Sequence, residues 1–151
     1  MNATTTAQAA QVYQVFIKAS PDRIWEAIVR PELTQRYFHS SRIEITPARR
    51  LSYGPDGAVR GDTKVLEFDP PRRLVHEWRS LYDPQLAEEE ISRVTWEIEP
   101  HEDGYCQLTL IHDRLEGAPK TAATVYGAGW MFVLSGLKTL VETGESLAGA
   151  H

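Results

Sequence analysis

Five histidines, one cysteine and a scatter of carboxylates are the groups in this chain that could do chemistry, and their spacing decides how much. His39, His76, His101, His112 and His151 show no short paired spacing and Cys106 has no partner cysteine, so no metal-ligand set emerges. A Gly-x-Ser-x-Gly elbow and a phosphate-cradling glycine loop are both missing, and Gly127-Ala128-Gly129 is only a two-glycine fragment, best read as helix packing. His112-Asp113 could be an acid/base pair, but adjacent strand residues point to opposite faces, so the side chains should not meet. Glu88, Glu89 and Glu90 read as a solvated loop or strand end. His76 and His112 are different, because each falls in phase with apolar strand neighbours. Together with Tyr37, Phe38, His39, Tyr53, Trp78, Trp96, Tyr126, Trp130, Met131 and Leu134 they could line a mainly aromatic pocket whose few polar tips orient a ligand. The competing reading makes each histidine a hydrogen-bonded core residue and each tryptophan core first.

The elements that must position these residues follow from periodicity and turn chemistry. Tyr13, Val15 and Ile17 alternate with Gln14, Phe16 and Lys18 and predict a first strand with one strongly apolar face. Ser20 suits an N-cap and Pro21 the first helical position, while Ile24/Ile28 and Trp25/Val29 pair at helical spacing. Pro31 ends that helix and opens a second short one through Phe38. A meander of strands is expected at residues 42–45, 50–53, 59–68, 74–81, 91–99 and 105–113, separated by turns such as Gly54-Pro55-Asp56-Gly57 and Asp69-Pro70-Pro71. Residues 82–90 read as a mobile polar loop. A single amphipathic helix from Thr121 to about Thr143, about 34 Å long, carries a stripe of Tyr126, Trp130, Val133, Leu137 and Leu140, with Gly144 placed to cap it.

Composition bounds the rest. The chain has 151 residues, 42% hydrophobic and 25% charged, with a formal charge of -5, the profile of one globular domain. Residues 1–10 read as a frayed tail and 11–148 as the domain. An acidic balance argues against nucleic acid, and no apolar run reaches the roughly 18 residues of a membrane span. A lone cysteine and the absence of a signal-peptide pattern at the N-terminus point to the cytoplasm. Cys106, on an apolar face, reads as an inert small hydrophobe.

Three stretches carry a family resemblance: Ala19-Ser20-Pro21-Asp22-Arg23-Ile24-Trp25-Glu26-Ala27 with Pro31-Glu32-Leu33; Val65-Leu66-Glu67-Phe68-Asp69-Pro70-Pro71-Arg72-Arg73-Leu74-Val75 leading to Trp78; and Gly129-Trp130 with Leu134 through Gly144. They resemble the C-terminal domain of activators of heat shock protein 90 ATPase, within the START-like (SRPBCC) superfamily. Many members have a Trp-Trp pair and a glycine where this chain has Tyr37-Phe38-His39-Ser40. The resemblance implies an α+β helix-grip fold: a curved antiparallel sheet around a long C-terminal helix, with two short helices after the first strand. It also implies a standalone domain, lacking the separate N-terminal domain of the eukaryotic co-chaperones. The functional expectation is non-catalytic binding of a small apolar or aromatic ligand between sheet and helix, by a monomer or homodimer with no cofactor or metal. Two alternatives stand beside it: a chaperone-interacting or stress-response protein acting through its surface, and a polyketide cyclase or aromatase-like enzyme using His76 or His112.

Overall fold

The computed structural model describes residues 9–148. Residues 1–8 of the expected tail, and His151, lie outside the described residues. The chain order is β1 (Gln11–Ile17), α1 (Pro21–Val29), α2 (Pro31–Thr34), β2 (Arg42–Ile45), β3 (Arg49–Tyr53), β4 (Val59–Asp69), β5 (Arg73–Trp78), α3 (Pro84–Ala87), β6 (Ser92–His101), β7 (Tyr105–Asp113), α4 (Pro119–Val125) and α5 (Ala128–Thr143). The strands form one seven-stranded sheet in the order β1-β7-β6-β5-β4-β3-β2, antiparallel at every pair. This is the expected helix-grip architecture, with two short helices after β1 and α5 packed over β1 and α1.

Local chemistry explains most boundaries. Ser20 caps α1, its hydroxyl accepting from the Arg23 amide at 3.3 Å, and Pro21 occupies the first turn. Arg30, before Pro31, is extended and ends the helix. α2 stops at Thr34, short of the expected Phe38, because the Thr34 side chain turns to the next strand: its hydroxyl donates to the Ser41 carbonyl and accepts from the Ile43 amide. Gly144 ends α5 in the left-handed conformation expected of it, at φ 81°.

Two further expectations are corrected. The single helix from Thr121 to Thr143 is two, parted where Tyr126 is extended and Gly127 sits at φ 61°, ψ -108°. The break is held from β1: Tyr13 Oη accepts from the Gly127 amide at 2.7 Å, and Gln11 Nε2 donates to the Ala122 carbonyl at 3.1 Å. A Cβ on Gly129 would lie 2.8 Å from the Thr124 carbonyl oxygen, so the segments can approach only at glycine. Residues 82–90, expected as a mobile loop, contain α3, capped by Asp83. Glu89 in the acidic run accepts from the amides of Lys120 and Thr121 and from the Thr121 hydroxyl, at 2.7–2.8 Å. Burial opposes ionisation of Glu89, but these bonds hold its carboxyl below the ordinary range. It thereby caps α4 from another segment.

The core lies between the sheet's concave face and the helices. Ile17, Leu74, Val94, Leu108 and Leu110 meet Ile24 and Ile28 of α1 and Trp130, Val133, Leu137 and Leu140 of α5. The expected stripe is thus buried except for Tyr126, which the helix break leaves 47% exposed. Leu137 has no exposed surface. Leu137→Ala should cost about 2 to 5 kcal/mol in urea unfolding; a loss under about 1 kcal/mol would contradict its place in the core.

Candidate functional site

The inward phase of β5, β6 and β7 brings two histidines under α5, and both are fully buried. Trp96 Nε1 donates to His76 Nε2 at 3.0 Å, which leaves His76 Nδ1 to carry the proton toward the Glu77 carbonyl at 2.9 Å. Trp130 Nε1 donates to His112 Nδ1 at 3.1 Å, so His112 Nε2 donates to Ser92 Oγ at 2.8 Å, and Ser92 passes its own proton to the Trp78 carbonyl at 3.4 Å. These bonds fix a neutral tautomer on each ring. Burial, then the nearby Arg50 charge, drives His76 well below its ordinary pKa. Burial takes His112 down to about 3, with Asp113 opposing the shift and Arg50 adding to it. Neither ring has a nitrogen left for a ligand. Asp113 is on the other face, as its sequence position requires, and holds Arg93 through both oxygens at 2.6–2.9 Å.

Beside this closed network lies an open cleft of about 450 Å³, at the end of the sheet where the α4–α5 break lifts the helical cover. Phe38 and Trp78 form its floor, His39, Arg60 and Tyr82 its rim, and Thr124 and Gly129 its helical wall. A narrower extension of about 110 Å³ reaches Val125, Trp130 and Val133. The rings are in contact: Trp78 and Trp130 centroids are 5.3 Å apart, and Phe38 meets Trp130 edge-on at 6.0 Å.

The sheet side of the cleft is polar. β3 turns Arg50 and Ser52 inward, and β4 turns Gly61 and Thr63 beside them, with Arg50 opposite Thr63 and Ser52 opposite Gly61. Arg50 is 5% exposed, and its guanidinium lies 4.6 Å over the Trp78 ring and 5.8 Å from Phe38. Burial pulls its pKa down to about 10, against which Tyr37 works, so it remains a cation at neutral pH. Tyr37 donates to the Ala27 carbonyl at 2.7 Å, and burial raises its phenol well above the ordinary value.

Of the sequence-derived site residues, the cleft therefore gathers Phe38, His39, Trp78 and Trp130. Tyr37, Leu134, His76, Trp96 and His112 lie in the core behind it. Tyr53, Tyr126 and Met131 are 37%, 47% and 54% exposed and face away from it. Ser52, Arg60, Arg79 and Ser80 line the cleft without having been named as site residues from the sequence, and Arg50, which with Arg49 forms a basic doublet that reads as solvated loop charge, lines it as a buried residue. A second groove of about 380 Å³, between Tyr37, Phe132 and Leu147, lies outside the sheet-helix space. Among the described residues no group of three or more His, Cys, Asp or Glu side chains could hold a metal, and no helix is long and apolar enough to cross a membrane.

The neutral histidines set a pH dependence. Both folded pKa values lie below the unfolded 6.5, that of His112 at about 3, so the unfolded chain binds more protons as pH falls below about 6.5, and stability falls with it. Urea unfolding at pH 6.5 and 5 should show a loss of about 1 kcal/mol or more per pH unit. In His112→Gln the slope should flatten by about one proton; an unchanged slope would place the titration elsewhere.

No curated protein matches the chain. Among solved structures, the Mesorhizobium loti protein MLL2253 superposes with a TM-score of 0.70 at 22% identity, covering 87% of this chain and 96% of that one. DynU16, a protein of the dynemicin biosynthetic locus, gives 0.71 at 22% identity over 91% of this chain and 48% of its own. The Aha1 dimer from Colwellia psychrerythraea gives 0.70 at 16% identity over 91% and 99%. These likenesses establish the fold, and the sequence itself matches the family described as Activator of Hsp90 ATPase homolog 1-like protein over residues 18–142. With that match spanning most of its length, the chain belongs to this family.

Proposed function

We propose that the protein binds a small, flat aromatic molecule in the cleft at the helix break and does not transform it. The observation that carries this reading is the cleft itself, which opens where the two helices part onto Phe38 and Trp78 and narrows toward Trp130 behind them. The interior histidines support the absence of catalysis, since every ring nitrogen of His76 and His112 is engaged within the protein. Contact with a chaperone, the partner suggested by the family's description, would use the surface and would tolerate a filled interior. An open aromatic cleft favours the small molecule. The place of DynU16 in a biosynthetic locus is in keeping with it.

A catalytic reading keeps one candidate. His39 stands on the cleft rim with its ring stacked on Phe132, and burial, then Arg60, lowers its pKa, so its imidazole is neutral at pH 7. A cyclase or aromatase-like enzyme would have to draw its proton acceptor from here.

The test uses a neutral bicyclic probe, 2-naphthamide, followed by quenching of the tryptophans, with glucose as the control. Saturable quenching by the probe alone is expected. Thr124→Trp, an exposed position on the helical wall, should plug the cleft and weaken binding by roughly tenfold or more with the urea midpoint preserved. No saturable change, or equal binding by the plugged variant, would overturn the reading.

A further inference from the structure

We propose that the cleft is an anion site, built for an aromatic molecule that carries a carboxylate, with Arg50 as its anchor. This deepens the reading of the cleft as a ligand site and rests on it.

The first support is an uncompensated buried charge. Arg50 is 5% exposed, yet among the described residues it forms no ion pair and no side-chain hydrogen bond; its neighbours are the Trp78 and Phe38 rings and the Tyr37 phenol. A buried cation ordinarily has an anion, because desolvating it alone costs several kcal/mol. Stacking on an indole returns only about 1 to 2 kcal/mol. It also satisfies none of the guanidinium N–H donors. The N–H edge, a planar fork that matches a carboxylate through two parallel bonds, stays free. Gly61 keeps that edge clear, since a Cβ there would lie 3.1 Å from Arg50 Nη1.

The second support is independent of Arg50. Trp78 Nε1 and Arg79 Nε are buried donors that find no acceptor among the described residues, and both residues line the same cleft, Arg79 also donating through Nη2 to the Glu89 carbonyl at 3.3 Å. Buried donors are almost always satisfied, so two orphans beside an unpaired cation call for an acceptor-rich group. The sign of the cleft agrees: Arg50, Arg60 and Arg79 line it and no Asp or Glu does, in a chain whose formal charge is -5. An aromatic floor with cationic walls selects an aromatic acid over its neutral analogue.

The experiment compares 2-naphthoate with 2-naphthamide, matched in shape and different in charge, by tryptophan quenching and calorimetry at fixed ionic strength. Wild type should bind the naphthoate tighter by about tenfold or more, the worth of a charge-assisted pair of hydrogen bonds. In Arg50→Met that ratio should collapse toward one, and in Arg50→Lys part of it should survive. Should Arg50→Met fail to fold, the wild-type ratio and the lysine variant carry the test. Equal binding of the two probes by wild type overturns the anion site while leaving the aromatic cleft standing, whereas binding of neither overturns both. A naphthoate preference undiminished in Arg50→Met would overturn Arg50 as the anchor.

Discussion

The fold depends on two indole-to-imidazole hydrogen bonds. Trp130 on α5 donates to His112 on β7, and Trp96 on β6 donates to His76 on β5. The first ties the helix to the sheet at one rotation of α5, because a turned helix would leave a buried indole donor and a buried imidazole acceptor unmatched, each costing about 1 to 3 kcal/mol. Hydrophobic packing by Val133, Leu137 and Leu140 supplies more stabilisation but tolerates sliding. The polar pair does not. Ser92 and the Trp78 carbonyl extend the same network to the edge of the cleft, so the wall of the site is fixed by the bonds that fix the helix.

Why the molecule has a cleft follows from how the sheet divides its inner face. β5, β6 and β7 present Leu74, Val94, Trp96, Ile98, Leu108 and Leu110 to α5, and that half is sealed. β3 and β4 present Arg50, Ser52, Gly61 and Thr63, side chains that an apolar helix stripe cannot cover at low cost. At that end the helical layer is broken at Gly127, and β1 holds the break through Tyr13 and Gln11. The polar strand face and the interrupted helix are complementary parts of one device. A continuous helix would press on Arg50; an apolar strand face would draw the helix down and close the space.

The sheet was legible because period-two alternation on β6 and β7 agrees with their turns, and Tyr105–Asp113 came out at its expected bounds. Ser20, Pro21, Pro31 and Gly144 marked helix ends for the same local reason. β3 was harder. In Arg49–Tyr53 the apolar residues Leu51 and Tyr53 suggest an inward phase, yet they lie on the outer side, and Arg50 with Ser52 points in. A one-residue choice of phase exchanges the whole inner set, and the Arg49-Arg50 doublet, which reads from sequence as solvated loop charge, instead buries Arg50. The neighbouring strand held the corrective signal, for Gly61 and Thr63 are small enough to leave room beside Arg50. The helix break likewise had a signal, Gly127 and Gly129 two residues apart, but weak propensity alone does not tell a kinked helix from a severed one. The capping of α4 by Glu89 joins residues 31 positions apart and has no local signature at all.

The energetics of Arg50 connect stability to recognition. Its stacking on Trp78 offsets only part of the cost of desolvating a guanidinium, so the free protein carries a local deficit at the cleft floor. Replacing that arginine by an apolar side chain of similar length would remove the deficit and, with it, any means of telling an acid from its amide. A sequence that keeps the charge gives up folding stability for discrimination, as buried polar groups at binding sites commonly do. The position of the deficit matters as much as its size. Because Trp78 is both the ring under Arg50 and the residue whose carbonyl accepts from Ser92, an anion drawing on the guanidinium would act on the strand end that the His112 network already holds rigid. The cleft can therefore be charged and open without loosening the helix beside it.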